Sequence, residues 1–320
     1  MIDFRAGPNE LGSLADHIAD PVVYWMPPRF VVSAWLEHAP FAYWLMQAAS
    51  PRRLVELGTH NGFSFFVFAE AAKRLQLDTE LFALDSWVGD DQAGFYGDDV
   101  YDGVAAIVGQ DYPTAQLVRG YFNESVDRFE DGSIDVLHLD GRHGYDDVAE
   151  DFEHYRAKLS NKGIVLFHDT FEFQPGFGVH QFWNEISHAR PSFNFEHGHG
   201  LGVLAWGSEA PRPVVDFIDR AHREPELVRE WFASLGAEVS RQFVLEVDHS
   251  SLIHSLRLEK IALLAEVEER EHSSQTLTKS VESLRDEVAR SHEDIARIQG
   301  TLSWKVTKPL RGLRRAVTSR

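Results

Sequence analysis

Apolar and polar residues alternate along the chain in blocks that predict a layered α/β domain. From about Arg53 onward, short apolar runs recur and are separated by longer stretches with helical spacing. This alternation is typical of βαβ units, in which a mostly parallel sheet is covered by helices on both faces. The predicted strands cover residues 54–57, 81–84, 116–118, 134–139, 164–167 and 201–206.

The same pattern suggests where the domains begin and end. Residues 1–50 are rich in aromatic residues and proline, which suits a helical cap packed over something else rather than an independent domain. We assign residues 51–210 to the α/β domain and 211–250 to a helical segment that closes it. Residues 251–303 are predicted to form a coiled coil, and 304–320 a basic tail.

A heptad repeat identifies the coiled coil. No glycine or proline occurs between Ser250 and Gly300, and with Ile253 at position a, eleven of sixteen a and d positions are apolar. Such a seam predicts a coiled-coil homo-oligomer, interrupted near Arg270 and Ser274. A long helix folded back on the globular domain would fit the same pattern.

Composition narrows the possible functions. The 320 residues contain 31 Lys and Arg against 50 Asp and Glu, so an acidic net charge of −19 argues against nucleic-acid binding. The absence of cysteine excludes disulfides, thiolate metal sites and cysteine nucleophiles, and leaves His, Asp and Glu as metal ligands. Without a long apolar span or a secretory leader pattern, a cytoplasmic location is expected.

A glycine-bearing turn follows the first predicted strand. Gly58 and Gly62 allow a ligand to approach the backbone closely, and an apolar helix begins at Phe63. The turn has neither the GxGxxG pattern nor a P-loop lysine, which favours a nucleoside without phosphates. Asp85 ends the second strand, where an acid can accept both ribose hydroxyls. Taken alone, the two glycines could equally serve helix packing.

Acidic residues follow two further strands that are expected to be neighbours. Asp140 ends one strand, and His168 and Asp169 end the next, so all three reach the same edge of a parallel sheet. Two carboxylates and one imidazole can hold a divalent cation, for which Mg²⁺ is the first expectation and Mn²⁺ the second. Alternatively, both aspartates cap the turns and helices that follow them.

A histidine near the same edge is a candidate general base. His143 follows the turn after Asp140, and an imidazole can take a proton from a hydroxyl near neutral pH. The other candidates for this role are His180, His197 and His199.

Residues 56–62 resemble motif I of class I S-adenosylmethionine-dependent methyltransferases, and the resemblance runs from about Trp35 to Trp206. It implies a Rossmann-like class I methyltransferase sheet whose last strand is antiparallel, within a hairpin over residues 193–207. It also implies that Asp85 holds the cofactor ribose. The residues expected to line the cofactor pocket are Glu56, Gly58, Thr59 and Gly62.

Residues 87–90 and 94–97 resemble bacterial methyltransferases encoded beside surface-polysaccharide genes. In metal-dependent O-methyltransferases of the catechol and macrolide-sugar types, acids at the positions of Asp140 and Asp169 bind magnesium, whereas several relatives have a carboxylate in place of His168. The implied function is metal-assisted methylation of a sugar hydroxyl in a bacterial glycan or its lipid-linked precursor. A hydroxylase-like relative and a non-catalytic interaction module are the other hypotheses.

The last twenty residues contain six basic residues and no acidic one. Together with apolar residues such as Trp304, they favour peripheral attachment to the inner face of the cytoplasmic membrane. The segment also resembles the endings of bacterial glycosyltransferases and polysaccharide-assembly proteins. A solvated basic tail, or one that binds an acidic partner protein, is the alternative.

Overall fold

A computed structural model describes residues 20–90 and 94–307. The first nineteen residues of the predicted cap, and residues 308–320 of the predicted basic tail, lie outside these ranges. The chain divides into two compact units, Met1–Val247 and Asp248–Arg320.

The first unit contains the predicted α/β sheet. Its strands are β1 (Arg53–Leu57), β2 (Glu80–Asp85), β3 (Gly89–Asp90), β4 (Gly94–Phe95), β5 (Gln116–Arg119), β6 (Ile134–Leu139), β7 (Leu159–His168), β8 (Ser192–Phe195) and β9 (Leu201–Ala205). Seven of them form one sheet in the order β5-β2-β1-β6-β7-β9-β8, while β3 and β4 form a separate two-stranded hairpin.

Helices cover this sheet and continue into the second unit. They are α1 (Ala39–Ala49), α2 (Phe63–Leu75), α3 (Asp98–Asp111), α4 (Phe122–Ser125), α5 (Tyr145–Arg156), α6 (Val179–Ile186), α7 (Arg212–Ala221), α8 (Pro225–Gly300) and α9 (Leu302–Val306). Short 3₁₀ helices occur at Pro21–Tyr24, Leu36–His38, Val126–Arg128 and Ser187–Ala189.

Strand direction agrees with the expected topology. Strands β5, β2, β1, β6 and β7 run parallel, whereas β9 is antiparallel to β7 and pairs with β8 as a terminal hairpin. The fold class is therefore confirmed. Every residue of β6 is buried, which explains why a strand covered by helices on both faces reads as a continuous apolar run.

Strand β7 begins earlier than expected. The predicted strand covered residues 164–167, whereas β7 begins at Leu159 and also includes residues 160–163. The pairing of β6 with β7 shifts between Ile134, opposite Leu159, and Val136, opposite Ile164. A bulge in β7 therefore accommodates the extra polar residues.

The described part of the N-terminal segment shares the core of the α/β domain. Trp35, Phe41 and Trp44 are almost completely buried, and the Trp44 ring lies 4.5 Å from that of Phe217 in α7. Aromatic residues of this segment thus pack into the core of the α/β domain, and its assignment as a cap stays a prediction.

Helix α8 is longer than the predicted coiled-coil segment. It begins at Pro225, and the boundary between the two units falls within it, after Val247. In the second unit the apolar heptad positions are about half exposed, for example 50% at Ile253 and 60% at Leu284. The helix is confirmed, while its assembly into a coiled coil stays a prediction. In the described ranges, the chain has no helix of sufficient length and apolar character to span a membrane.

Candidate active site

A cavity of about 1,070 Å³ opens at the carboxyl edge of the parallel strands. Its lining comes from the turn after β1, the end of β2, the ends of β6 and β7, and residues 32–35 of the N-terminal segment. Eight of the predicted site residues line it: Gly58, Thr59, Gly62, Asp85, Asp140, His143, His168 and Asp169.

Gly58 brings the ends of β1 and β6 together. It has a φ of +89°, and its N–H donates to the Leu84 carbonyl at 2.9 Å. A Cβ at this position would lie 1.9 Å from the Asp140 carbonyl oxygen. The position therefore requires glycine because the backbone of β6 approaches it, in addition to any need for space beside a ligand.

The Asp85 carboxylate accepts hydrogen bonds from three backbone N–H groups, two of which belong to the glycine turn. One carboxylate oxygen accepts the N–H groups of Thr59 and His60, both at 2.8 Å, and the other accepts the Trp87 N–H at 2.7 Å. A carboxylate offers about four lone-pair positions, so limited capacity is left for a ligand hydroxyl. Asp85 fixes the turn in place, and its contact with a ribose stays a prediction.

Glu56, expected to line the cofactor pocket, is instead completely buried. Its Oε2 lies 2.9 Å from Nδ1 of His138, which is also completely buried. Burial raises the pKa of Glu56, although the hydrogen bond from His138 opposes this shift. Sequence reasoning missed His138, because the only hint was a polar residue inside the apolar run of β6.

Two histidine–aspartate pairs lie at the ends of β6 and β7. His143 Nε2 is 3.0 Å from Asp169 Oδ2, and His168 Nδ1 is 3.0 Å from Asp140 Oδ1. Burial alone would raise the pKa of Asp169, but His168 and His143 outweigh it and hold this pKa well below its ordinary value. The positions of these four side chains are thus fixed by the ion pairs between them as well as by the strands that they follow.

The contacts of His168 do not suit the metal-ligand role predicted for it. Its Nε2 is 3.1 Å from the Gly198 carbonyl, which can only accept a hydrogen bond, while its Nδ1 faces Asp140. Burial disfavours its charged form, yet Asp140 and Asp169 raise the pKa of His168 well above its ordinary value. Both ring nitrogens of His168 thus already have hydrogen-bond partners, and its role as a metal ligand stays a prediction.

Among the described residues, the group that could hold a metal ion contains His143 together with the two aspartates. Asp140, His143 and Asp169 each offer one ligand atom, and the three atoms lie within 4.8 Å of one another. Two carboxylate oxygens and one imidazole nitrogen suit a divalent cation, and the imidazole shifts the preference from Mg²⁺ toward Mn²⁺.

The other candidate bases are less well placed. His199 lines the cavity, but its Nδ1 pairs with Glu172 at 2.8 Å. His197 lies behind the cavity with its ring 4.9 Å from that of His38, and burial lowers its pKa to about 4. His180 packs against Phe173 at 4.9 Å.

The remaining wall of the cavity carries groups that sequence reasoning did not select. Glu150 and the half-buried Asp151 of α5 lie there with Glu124, and burial raises the pKa of Asp151 to about 7. The aromatic side chains of Phe95 and Tyr121 line the cavity while being 73% and 63% exposed. These residues are far apart in sequence, so only the fold brings them together.

Residues 55–170 match the family model of a methyltransferase domain. Together with the sheet order described above, this match shows that the α/β domain has a methyltransferase fold.

The individual proteins to which the chain is similar differ greatly in length and identity. The uncharacterized protein y4gI of Sinorhizobium fredii is 44% identical over 238 residues, which cover 74% of this chain and 26% of that protein. The chain thus spans about a quarter of the length of this curated relative.

The fold is also similar to solved structures of low sequence identity. A putative caffeoyl-CoA O-methyltransferase from Staphylococcus aureus is 14% identical with a TM-score of 0.41, covering 62% of this chain and 91% of that one. An O-methyltransferase from Bacillus cereus in complex with SAH is 13% identical with a TM-score of 0.41, covering 63% and 93%.

Proposed function

We propose that this protein is an S-adenosylmethionine-dependent O-methyltransferase that methylates a sugar hydroxyl of a bacterial glycan or its lipid-linked precursor. One observation carries the proposal: the glycine turn after β1 and the cluster of Asp140, His143 and Asp169 line the same cavity. A methyl donor on the turn would then lie beside groups that can take a proton from an acceptor hydroxyl.

The described residues fit such a cofactor. Gly58 and Gly62 line the cavity, and the buried Thr59 hydroxyl has no hydrogen-bond partner among the residues that the structure describes. Together with Asp85 they would hold the cofactor, which supplies an electrophilic methyl group when bound. The protein contributes orientation of the acceptor and removal of its proton.

His143 is the group we assign to proton removal. Because its Nε2 lies 3.0 Å from Asp169 Oδ2, the Nε2–H can donate to that carboxylate, which orients the imidazole as a base for the acceptor hydroxyl. Burial would lower the pKa of His143, but the Asp169 hydrogen bond raises it overall and makes the imidazole a stronger base. In this role Asp169 orients the ring and stabilises the imidazolium that forms.

A metal-assisted version assigns the same residues differently. Asp140, Asp169 and His143 would hold a divalent cation, which lowers the pKa of an acceptor hydroxyl when it is bound. His143 Nε2 then serves as a ligand and not as the donor to Asp169. Mn²⁺ or Mg²⁺ is the cation we propose.

The acceptor side of the cavity supports a hydroxyl-rich substrate. Carboxylates such as Glu150 and Asp151 accept hydrogen bonds from hydroxyls, and the rings of Phe95 and Tyr121 can cover the apolar face of a sugar. The resemblance of residues 87–90 and 94–97 to methyltransferases beside polysaccharide genes points to the same substrate class.

The function is tested by calorimetric titration with S-adenosylhomocysteine, followed by transfer of labelled methyl groups to bacterial glycan extracts with and without EDTA. Binding and transfer are expected for the wild type, and transfer is expected to be lost in Asp169→Asn. Absence of binding at millimolar ligand would contradict the proposal. Binding without transfer to any glycan would favour a non-catalytic module or a hydroxylase-like relative.

A further inference from the structure

The turn of the β8–β9 hairpin holds a histidine at a position where the backbone favours glycine. His199 has a φ of +66° and lies between Gly198 at +55° and Gly200 at +95°. A residue with a side chain is disfavoured in this left-handed conformation, whereas glycine adopts it freely. The imidazole is therefore not needed to form the turn, and such strained residues cluster at functional sites.

The His199 ring is held at the cavity wall by Glu172. Its Nδ1 lies 2.8 Å from Glu172 Oε2, and both residues line the cavity. The other oxygen of the same carboxylate accepts the N–H groups of Phe173 and Gln174 at 2.9 and 3.1 Å. The His199 carbonyl accepts the Phe171 N–H at 2.8 Å. The loop after β7 thus fixes the orientation of the imidazole.

The second ring nitrogen of His199 is left for a ligand. A carboxylate can only accept a hydrogen bond, and the bond with His199 lowers the pKa of Glu172, so Nδ1 carries the proton. The His199 side chain is 49% exposed, and its Nε2 has no hydrogen-bond partner among the residues that the structure describes. In His168, by contrast, both ring nitrogens have partners.

His199 lies beside the cluster that we assign to proton removal. Its ring is 6.5 Å from that of His168, whose Nδ1 pairs with Asp140 at 3.0 Å. His143 belongs to the same cluster through its pair with Asp169. A sugar carries several hydroxyls on one ring, so a sugar that presents one hydroxyl to His143 can present another to this neighbouring imidazole.

We propose that His199 Nε2 binds a second hydroxyl of the acceptor sugar, so that the Glu172–His199 pair selects which hydroxyl is presented to His143. This inference rests on the proposed function. Nε2 accepts a hydrogen bond from the second hydroxyl while the Nδ1–H donates to Glu172. The substrate class is thus a sugar unit with a free hydroxyl near the one that is methylated.

The test measures transfer of labelled methyl groups from S-adenosylmethionine to bacterial glycan extracts by the full-length protein, with the methylated positions identified by mass spectrometry after hydrolysis. His199→Gly removes the ring and suits the backbone. It is expected to raise the apparent KM for glycan by about tenfold and to spread the methyl group over more than one position. S-adenosylhomocysteine affinity and melting temperature are expected to stay at their wild-type values. His188→Gln, at an exposed position outside the cavity lining, is the matched control and should change none of these quantities.

Each result has a definite reading. An unchanged KM with unchanged methyl positions in His199→Gly would overturn the inference while the proposed function stands. A lower melting temperature would assign His199 a structural role and would also overturn it. A wild-type protein that binds S-adenosylhomocysteine but transfers no label to any extract contradicts the proposed function, and the inference falls with it.

Discussion

Asp140 lies between the glycine turn and the histidine–aspartate pairs. Its backbone contacts the turn, and its side chain forms one of the pairs. Its carbonyl meets Gly58 of the glycine turn, and its carboxylate pairs with His168 at 3.0 Å. The distance between the glycine turn and these pairs therefore depends on having glycine at position 58.

Replacing Gly58 by alanine is expected to destabilise the domain strongly. The new Cβ meets backbone atoms of Asp140 and Gly141, and the φ of +89° adds strain, so we expect a loss of about 3 kcal/mol or more in the free energy of unfolding. Gly132→Ala is the matched control, with a φ of +71° and no atom within 4 Å of the new Cβ, and it should cost only about 1 kcal/mol. Urea unfolding measures both, and equal losses would contradict the steric argument.

The two histidines at the strand ends are expected to respond oppositely in metal binding. His143→Gln removes a ligand and should weaken Mn²⁺ binding by about tenfold or more, as measured by electron paramagnetic resonance. His168→Gln removes a positive charge beside Asp140 and Asp169, so Mn²⁺ binding should be retained or strengthened. A loss of similar size in both variants would restore His168 as a ligand, and no Mn²⁺ binding by the wild type would leave the metal-free role of His143.

At the residue scale, the sequence predicts where a site residue lies in the fold better than it predicts which atoms that residue contacts. Asp140 and Asp169 meet at one edge because parallel strands end there, which spacing reveals. The partners of His168 and Glu56 depend on ring orientation and on which atoms reach one another, and these are set by packing between distant segments.

At the element scale, buried strands were predictable and irregular ones were not. Strands β1 and β6 are covered on both faces, so their apolar runs are distinct in the sequence. Near its start β7 contains the exposed polar residues Asn161 and Lys162, and the β3–β4 hairpin has only two residues in each strand. Neither gives a periodic pattern, because periodicity requires a buried face over several residues.

Helix α8 is expected to mediate self-association with a second copy of the chain. Leu277→Glu combined with Leu284→Glu places charges at two d positions and should convert an oligomer into a monomer in light scattering. The control pair, Ala289→Glu with Ala296→Glu, adds the same charge at b positions and should leave the oligomer intact. A wild type that is monomeric at micromolar concentration would refute the coiled coil.

The absence of cysteine makes strand orientation in such an assembly measurable. A single Leu284→Cys substitution introduces the only thiol in the chain. In a parallel dimer the two d positions face each other, so oxidation should yield a disulfide-linked dimer, whereas Ala289→Cys should not. Cross-linking of neither variant in an oligomer would indicate an antiparallel arrangement.

At the scale of the whole molecule, buried histidines link stability to pH. Burial lowers the pKa of His197 to about 4, and burial with the neighbouring His197 and His168 lowers that of His38 well below its ordinary value. Both residues are neutral in the folded state and protonated in the unfolded state between about pH 6.5 and 4. Each histidine therefore contributes a loss of stability on acidification through this range, of up to about 1.4 kcal/mol per pH unit. Asp151, whose pKa burial raises to about 7, contributes in the opposite direction.

His197→Gln removes one of these groups and should flatten the decrease in unfolding free energy between pH 6.5 and 4. His249→Gln, at an exposed position, should leave the slope unchanged. Urea unfolding at a series of pH values measures the slopes. Parallel curves for wild type and His197→Gln would show that another group controls acid stability.

The close approach of Gly58 to Asp140 also bears on how such an enzyme can diversify. A substitution at position 58 disturbs the glycine turn and the backbone of Asp140 together. Changes at this position are therefore not expected to yield a new acceptor specificity. Glu150 and Asp151, by contrast, line the cavity from helix α5 and take no part in that backbone contact. Directed evolution toward other acceptors should therefore gather its accepted mutations on α5 and leave the glycine turn unchanged.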